Sequence, residues 1–458
     1  MRNDQFGYEM TVSSPAAAEA WDKMVLAFLA HAAKTPEYLG SVLKEAPDFA
    51  MAHAVKGMFF LMLARRELVD TAQEAYAAAL AGAGRVAPTA REMGYVRGLG
   101  AWLEGRPSEA IAEMEGILAR WPEDAMAMKI SHAIRFMLGD GKGMRASVEA
   151  VLPTYDAKNP ARGYLLGCHA FTLEETGEYG RAESAGRLGL SLSPDDAWGL
   201  HAVAHVFDMT ANARAGLSWL DGREAAWAHC NNFRYHVWWH KALMHLDQGE
   251  IDAVFELYDT EIRADKTDDY RDISNGSALL TRLELEGISV GNRWEELADI
   301  SERRTEDACL AFADLHYLLA LIGGDRTMAV KRMMARLQRD AKHTTADEMK
   351  ARLATPGLSA ATGLEAFGEG DYKTAFLNLG RARRSMQQVG GSHAQRDVFE
   401  RLTIDSAIRG GFLDDAEMIL EERLAARAGR LDAYASTRFD LIAESKGEWK
   451  QAGRLPAE

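Results

Sequence analysis

Two histidine pairs dominate the chemistry that this sequence offers. His201 and His205 stand in His-Ala-Val-Ala-His, and His236 and His240 in His-Val-Trp-Trp-His. A spacing of four puts both members of a pair on one face of an α-helix. Neutral imidazoles are ligands for zinc-type divalent metals, and neighbouring carboxylates orient them. The same groups act as general acids and bases near neutral pH. Neither pair holds the glutamate of an HExxH helix, so a metalloprotease-type base is missing. The plainer alternative is packing, with ring nitrogens bonded to carbonyls and carboxylates. Other motifs fall away. Gly139-Asp-Gly-Lys-Gly143 lacks the Ser or Thr that follows a phosphate-loop lysine, and no Gly-x-Ser-x-Gly elbow exists. Cys168 and His169 are adjacent, so they diverge on a helix and make a poor nucleophile pair.

The elements that must hold these residues are helices. The chain has 458 residues, 47% of them apolar, and only 11 prolines. Ala, Leu, Met and Glu lose little freedom in a helix, and strand-like alternation is nearly absent. The segment Gly105-Arg-Pro-Ser-Glu-Ala110 leads to Trp121-Pro122, and Gly177-Glu-Tyr-Gly-Arg-Ala182 leads to Ser193-Pro194. Glycine suits a tight interhelical turn, alanine a close helix approach, and proline a helix end. Turns at Gly105, Gly139, Gly177, Ala211 and Gly249 recur at steps of 34, 38, 34 and 38 residues. Related units follow at Gly324, Gly370 and Gly411, and a weaker pair spans 49–65 and 69–81.

This pattern resembles the tetratricopeptide repeat, two antiparallel helices in about 34 residues. The expected fold is therefore all-α: an α-α superhelix (solenoid) of tetratricopeptide-like helix pairs, curled around a central pocket or left open as a groove. Residues 1–458 read as one array, with regular repeats over 91–262, a divergent unit at 263–305 and further repeats at 306–450. Segment 387–394, with Gly390 and Gly391, reads as a hinge or loop. The first 14 and last dozen residues read as caps or frayed ends.

Several blocks resemble the tetratricopeptide repeat protein 38 family. They are Asp48-Phe-Ala-Met-Ala-His53-Ala-Val-Lys-Gly57, Leu173-Glu-Glu-Thr-Gly-Glu-Tyr179, Asp195-Asp-Ala-Trp198, His201-Ala-Val-Ala-His205-Val-Phe-Asp-Met209, His236-Val-Trp-Trp-His240-Lys-Ala-Leu, Leu257-Tyr-Asp259, Gly291-Asn-Arg-Trp294 and Phe312-Ala-Asp314-Leu-His316. They span most of the chain in the family's order. Asp208 stands where the family usually has Glu. The family's Asp-Ala-Ser-Ser-Leu-Leu-Trp-Arg-Leu stretch appears as Asn275-Gly-Ser-Ala-Leu-Leu-Thr-Arg282-Leu. The resemblance implies a soluble repeat protein and points to no particular activity.

The repeat resemblance also implies that positions 2, 5, 9 and 12 of each first helix face the concave side. That rule places Trp198, His201, His205 and Asp208 there, then His236 and Trp239 with His240 one position beyond. Tyr164, Phe171 and Glu174 come from the preceding unit, and Asp314 with His316 from a later one. Adjacent first helices pack roughly 10 Å apart, so these residues converge. His201, His205, His236 and His240 are candidate ligands of a divalent metal, or with Asp208 candidate acid–base residues. Glu174, Asp208 and Asp314 would orient them. Glu174, Trp198, Trp239, Tyr164, Asp314 and Arg282 are candidate ligand contacts, Arg282 with Ser277 for an anion. His53, His132 and His169 read as core, and Trp238 as packing between helices.

The formal charge of −15 argues against a nucleic-acid partner, which needs a basic face. Arg303–Arg304 and Arg381–Arg384 read as solvated helix faces. The apolar patch 24–33 is too short to span a bilayer. With three scattered cysteines and no secretory signal at the first residues, the expectation is a cytoplasmic protein. Two functions stay open. One is a scaffold or receptor binding a small polar molecule, a cation or a partner peptide in the groove. The other is an enzyme doing hydrolysis or proton transfer there, with or without a metal. An uncapped end of the array would favour a homodimer.

Overall fold

The repeat turns are built by residues in the left-handed region. Gly105 and Gly177 have φ of +78° and +83°, which costs glycine nothing. Ala211 takes the same conformation at φ +47°, and in the unit expected at Gly324 the left-handed residue is Asp325. Five residues beyond the first two turns, Ala110 and Ala182 are fully buried where the paired helices meet. The computed structural model describes residues 1–344 and 347–447. Over that span it is an α-α superhelix of antiparallel helix pairs, with one two-stranded hairpin, Arg2–Asn3 against Glu9–Met10.

The pairs that matter for the site run in order. They are Ala125–Leu138 with Gly141–Val151, Arg162–Glu175 with Tyr179–Leu192, Ala197–Met209 with Ala213–Leu220, and Phe233–Asp247 with Ile251–Leu257. Extra residues in the 38-residue steps form a short 3-10 turn at Leu152–Thr154 and a short helix at Ala225–Ala228. The divergent unit is Tyr270–Leu285 with Arg293–Glu302, followed by Ala311–Gly323 with Thr327–Asp340. The final helices are His393–Gly410, Leu413–Ala426 and Ala433–Ser445.

The array does not stay open. Residues 163–174, 197–207 and 311–321 are buried at every position, so these first helices have no exposed face. Such helices are enclosed by protein on all sides. Two closures account for it. At the N-terminal side, Arg65 pairs with Asp268 at 2.9 Å and Arg304 with Glu67 at 2.8 Å. The Asn231 N–H also donates to the His31 carbonyl at 2.8 Å. At the C-terminal side, Arg438 reaches Glu286 and the Leu285 carbonyl, and the Ala433 N–H donates to Asp247. Arg427 donates to Asp208, and the His393 N–H to Glu175.

Several expectations change with this closure. Arg304 is a buried interhelical clamp rather than part of a solvated face, and Arg383 pairs with Glu400 and Glu422. Segment 1–14 is a cap, held by Asp4 against buried Arg91 at 2.8 Å. The last dozen residues lie outside the described residues but for Gly447. The double-glycine segment is a loop wedged into the body rather than a hinge. A Cβ on Gly139 would collide with the Gln387 carbonyl, and one on Gly390 with that of Met137. The helix Ala433–Ser445 packs back onto the body through Arg438.

Asp314 and Arg336 show how costly such burial is to disturb. Both are buried, joined by two hydrogen bonds of 2.8 and 2.6 Å, and Arg336 Nε also donates to the Thr305 carbonyl. Asp314→Ala leaves the buried guanidinium with the more distant Asp340 carboxylate, 3.8 Å away, as its remaining ion-pair partner and should cost up to about 3–5 kcal/mol in urea unfolding. The double variant Asp314→Leu/Arg336→Met should recover most of that loss. A loss of similar size in the double variant would mean that the pair itself stabilises the fold.

Candidate functional site

The helices Ala197–Met209 and Phe233–Asp247 set the four histidines on facing sides. Their Nε2 atoms converge. His205 Nε2 lies 2.8 Å from His201 Nε2, His236 Nε2 3.2 Å from His201 Nε2, and His240 Nε2 3.2 Å from His236 Nε2. All four nitrogens lie within 4.8 Å of one another, and all four residues are buried. The far nitrogens meet polar partners in two cases. His236 Nδ1 is 2.9 Å from Asn275 Oδ1, and His205 Nδ1 is 3.4 Å from Glu174 Oε2. Glu174 is fully buried, and neither of its oxygens has a hydrogen-bond partner. Aromatic rings fix the orientation: Trp239 stacks on His236 at 5.2 Å and Phe171 on His201 at 5.8 Å.

Burial pushes His201 and His240 well below the usual histidine range and His236 down to about 3. His205 differs. Burial pulls it down, but the Glu174 carboxylate, with Glu175 and Asp208, outweighs that and raises it.

A cavity of about 530 Å³ lies beside this cluster. The N-terminal helices Pro15–Leu29, Thr35–Glu45 and Ala50–Met62 form one wall, and the His132, Trp198 and His236 helices another. The lining is largely apolar, with Phe28, Phe59, Phe60, Phe136, Phe171 and Trp198, and His201 and His236 reach it. Lys56, Lys129 and Arg271 also line it, whereas no Asp or Glu does among the described residues.

The remaining residues singled out from the sequence lie elsewhere. Trp239 is fully buried and outside the cavity, with the Arg282 guanidinium 5.5 Å from its ring centre. Tyr164 donates to Asp195 at 2.7 Å, away from the histidines. Asp208 accepts from Arg427, Asp314 from Arg336, and Arg282 donates to the Ala278 and Ala394 carbonyls. Of the three acids expected to orient the cluster, Glu174 alone stands against it. Asp208 and Asp314 are committed to arginines that helical spacing does not place beside them. His132, read as core, lines the cavity, and neither ring nitrogen has a partner. His53 is half-buried, with Nε2 2.8 Å from the Pro47 carbonyl.

Three contributors are not among the residues expected from the sequence. His31 lines the cavity from a left-handed turn (φ +56°) and stacks on Phe233 and Trp198. Only chain closure brings it there. Lys129 interrupts the apolar run of its helix, a signal visible in the sequence. Asn275 stands out in the sequence only as a departure from the family pattern.

No family model matches the chain. Among solved structures, it is similar to the human IFIT1 dimer with m7Gppp-AAAA at 12% identity, covering 99% of this chain and 98% of that one, with a TM-score of 0.35. It is also similar to the P58(IPK) TPR domain at 11% identity, covering 79% and 90%, TM-score 0.23. A third is Naa15/Naa10 bound to HypK-THB, at 11% identity, covering 88% and 68%, TM-score 0.26. At these TM-scores none of them bears on the site.

His316 provides a test of burial near the site. Its Nδ1 is 2.8 Å from the Phe312 carbonyl, its ring packs on Phe312 and Phe399, and burial lowers it to about 3. Its folded value thus lies below the unfolded value of roughly 6.5, so the unfolded chain binds the extra proton between those limits. Stability is full above the unfolded value and falls as pH drops toward 3. His316→Phe should flatten the wild-type decline between pH 6 and 4 by up to about 1.4 kcal/mol per pH unit. Chemical denaturation at several pH values measures it, and parallel wild-type and variant slopes would contradict it.

Proposed function

We propose that this protein is a helical-repeat receptor that encloses a small, mainly apolar molecule bearing an anionic group. The observation that carries this is Lys129. It is 3% exposed and lines the cavity, with its ammonium 4.6 Å from the Trp198 ring centre. Its hydrogen-bond partner is the Cys168 thiol at 3.7 Å, and no described carboxylate lies within ion-pair distance. A buried ammonium without an ion-pair partner is costly, and the buried Asp196 carboxylate acts on Lys129 only from beyond that distance. A carboxylate entering the cavity would pair with it while the aromatic walls take the apolar body. The volume is in the range of small-molecule pockets, about 300–1,000 Å³. A pocket of this volume between two helical walls favours such a ligand over an extended peptide, and cationic walls favour an anion over the cation that the histidines and acids suggested.

The sequence blocks from Asp48 to His316 support membership of the tetratricopeptide repeat protein 38 family, and two of them supply the four histidines. The three cysteines are free thiols, which suits the cytoplasm. No helix among the described residues is long and apolar enough to cross a membrane. The convergence of four imidazoles beside the cavity favours a second reading, an enzyme that performs hydrolysis or proton transfer on the enclosed molecule.

Dodecanoate and dodecanol serve as charged and uncharged probes in calorimetric titration. Wild type should prefer dodecanoate. Lys129→Met should reduce that preference at least tenfold, or about 1.4 kcal/mol. Ala133→Trp, which fills the cavity, should abolish binding of both. Equal carboxylate affinity in wild type and Lys129→Met would refute the anionic anchor.

A further inference from the structure

We infer that His201, His205, His236 and His240 bind one divalent transition-metal ion through their Nε2 atoms. This goes beyond the receptor reading and does not rest on it.

The four Nε2 atoms make more close contacts than their protons can bond. Each Nε2 offers one in-plane direction, either an N–H or a lone pair. The four atoms make three short contacts, 205–201, 201–236 and 236–240. His201 and His236 each take part in two of them. With one direction per atom, at most two contacts can be hydrogen bonds, whatever the tautomers. At least one of the three close contacts therefore has no hydrogen bond of its own. A cation at the centre would instead take all four lone pairs at once.

The outer nitrogens agree. Asn275 Oδ1 and the Glu174 carboxylate face Nδ1 of His236 and His205 and call for N–H there, which leaves Nε2 bare on both rings. An acceptor on the far nitrogen is the usual partner of a metal-bound histidine. Glu174 also bears on the charge. Its carboxylate is fully buried with His205 Nδ1 3.4 Å away, so a divalent ion on the far side of that ring would add positive charge where the carboxylate faces it.

The dimensions are also suitable. Bonds of about 2.0–2.1 Å in a tetrahedron separate neighbouring nitrogens by roughly 3.3–3.4 Å. The 2.8 Å contact would open by about half an ångström and the 3.2 Å contacts by about a tenth or two, while the other pairs, within 4.8 Å, would draw in. An all-imidazole set selects zinc, copper, nickel or iron over magnesium or calcium. His201 and His236 also line the cavity, so the ion would border the enclosed space.

The test uses the full-length untagged protein, stripped with a chelator and titrated with Zn²⁺ or Co²⁺. Wild type should take up about one ion per chain and give the visible bands of nitrogen-ligated Co²⁺. His205→Gln and His240→Gln should each lose the ion, whereas His132→Phe and Lys129→Met should keep it. Glu174→Gln should weaken binding roughly 10- to 100-fold. Failure of wild type to bind, or full binding by both glutamine variants, would overturn the site. If the glutamine variants do not fold, X-ray absorption of the wild-type Co²⁺ form decides: four nitrogen neighbours support the site, and an oxygen-rich shell refutes it. Loss of dodecanoate binding in Lys129→Met with the ion retained would separate this outcome from the receptor reading.

Discussion

Closure of the repeat array on itself is the constraint from which the rest of this structure follows. A helix pair buries only one stripe against its neighbours, and an open solenoid leaves the concave faces in water. Here the N-terminal pairs and the C-terminal helices cover those faces, and the middle first helices lose every exposed side. Each polar group on them must then find a partner inside. Arginines supply many of those partners. Arg427 meets Asp208, Arg336 meets Asp314, and Arg438 meets Glu286 and Asp405. Buried ion pairs of this kind contribute little net stability against well-packed apolar residues, but they penalise any arrangement that separates them. They fix the closure in one register.

Much of this was legible locally. Turn residues, the alanines after them and the prolines ending second helices are determined within one repeat, so the helix pairs could be read from spacing alone. Helical spacing put each histidine pair on one face, and the concave-face positions that the repeat resemblance implies brought His201, His205, His236, His240 and Glu174 together. Residues whose partners are far along the chain were misjudged. Asp208 looked like a groove acid because Arg427 is 219 positions away. Arg282 looked like an anion contact, whereas it holds the Ala394 carbonyl 112 positions on. His31 gave no local signal, because closure alone carries it to the cavity. Nothing in a single repeat encodes which later repeat will cover it.

The electrostatics of the interior run against those of the whole molecule. The chain carries a formal charge of −15, but the ionic side chains on the cavity wall are lysine and arginine. Arg271 is balanced by Asp269 at 2.5 Å, so the charge left over is mainly that of Lys129, with Lys56 beside Phe60. An acidic exterior repels small anions at long range, though salt limits this to about 8–10 Å. Selectivity for an anion must therefore arise within the cavity, where pairing with a desolvated ammonium is strong.

Trp198 joins the two chemical regions. One side of its surroundings holds the Lys129 ammonium, and its ring centre lies 5.0 Å from that of His201. A molecule anchored at Lys129 would therefore lie within a side chain's length of the histidine cluster. Packing alone does not explain this concentration of polar groups. Glu174, Asn275, His132, His201 and His240 all bury at least one polar atom without a hydrogen-bond partner. Each such atom costs on the order of 1–3 kcal/mol, and apolar residues of similar size would avoid it. Sites that break the rules of packing are where function is expected to sit, because the fold bears the cost only for what the groups do.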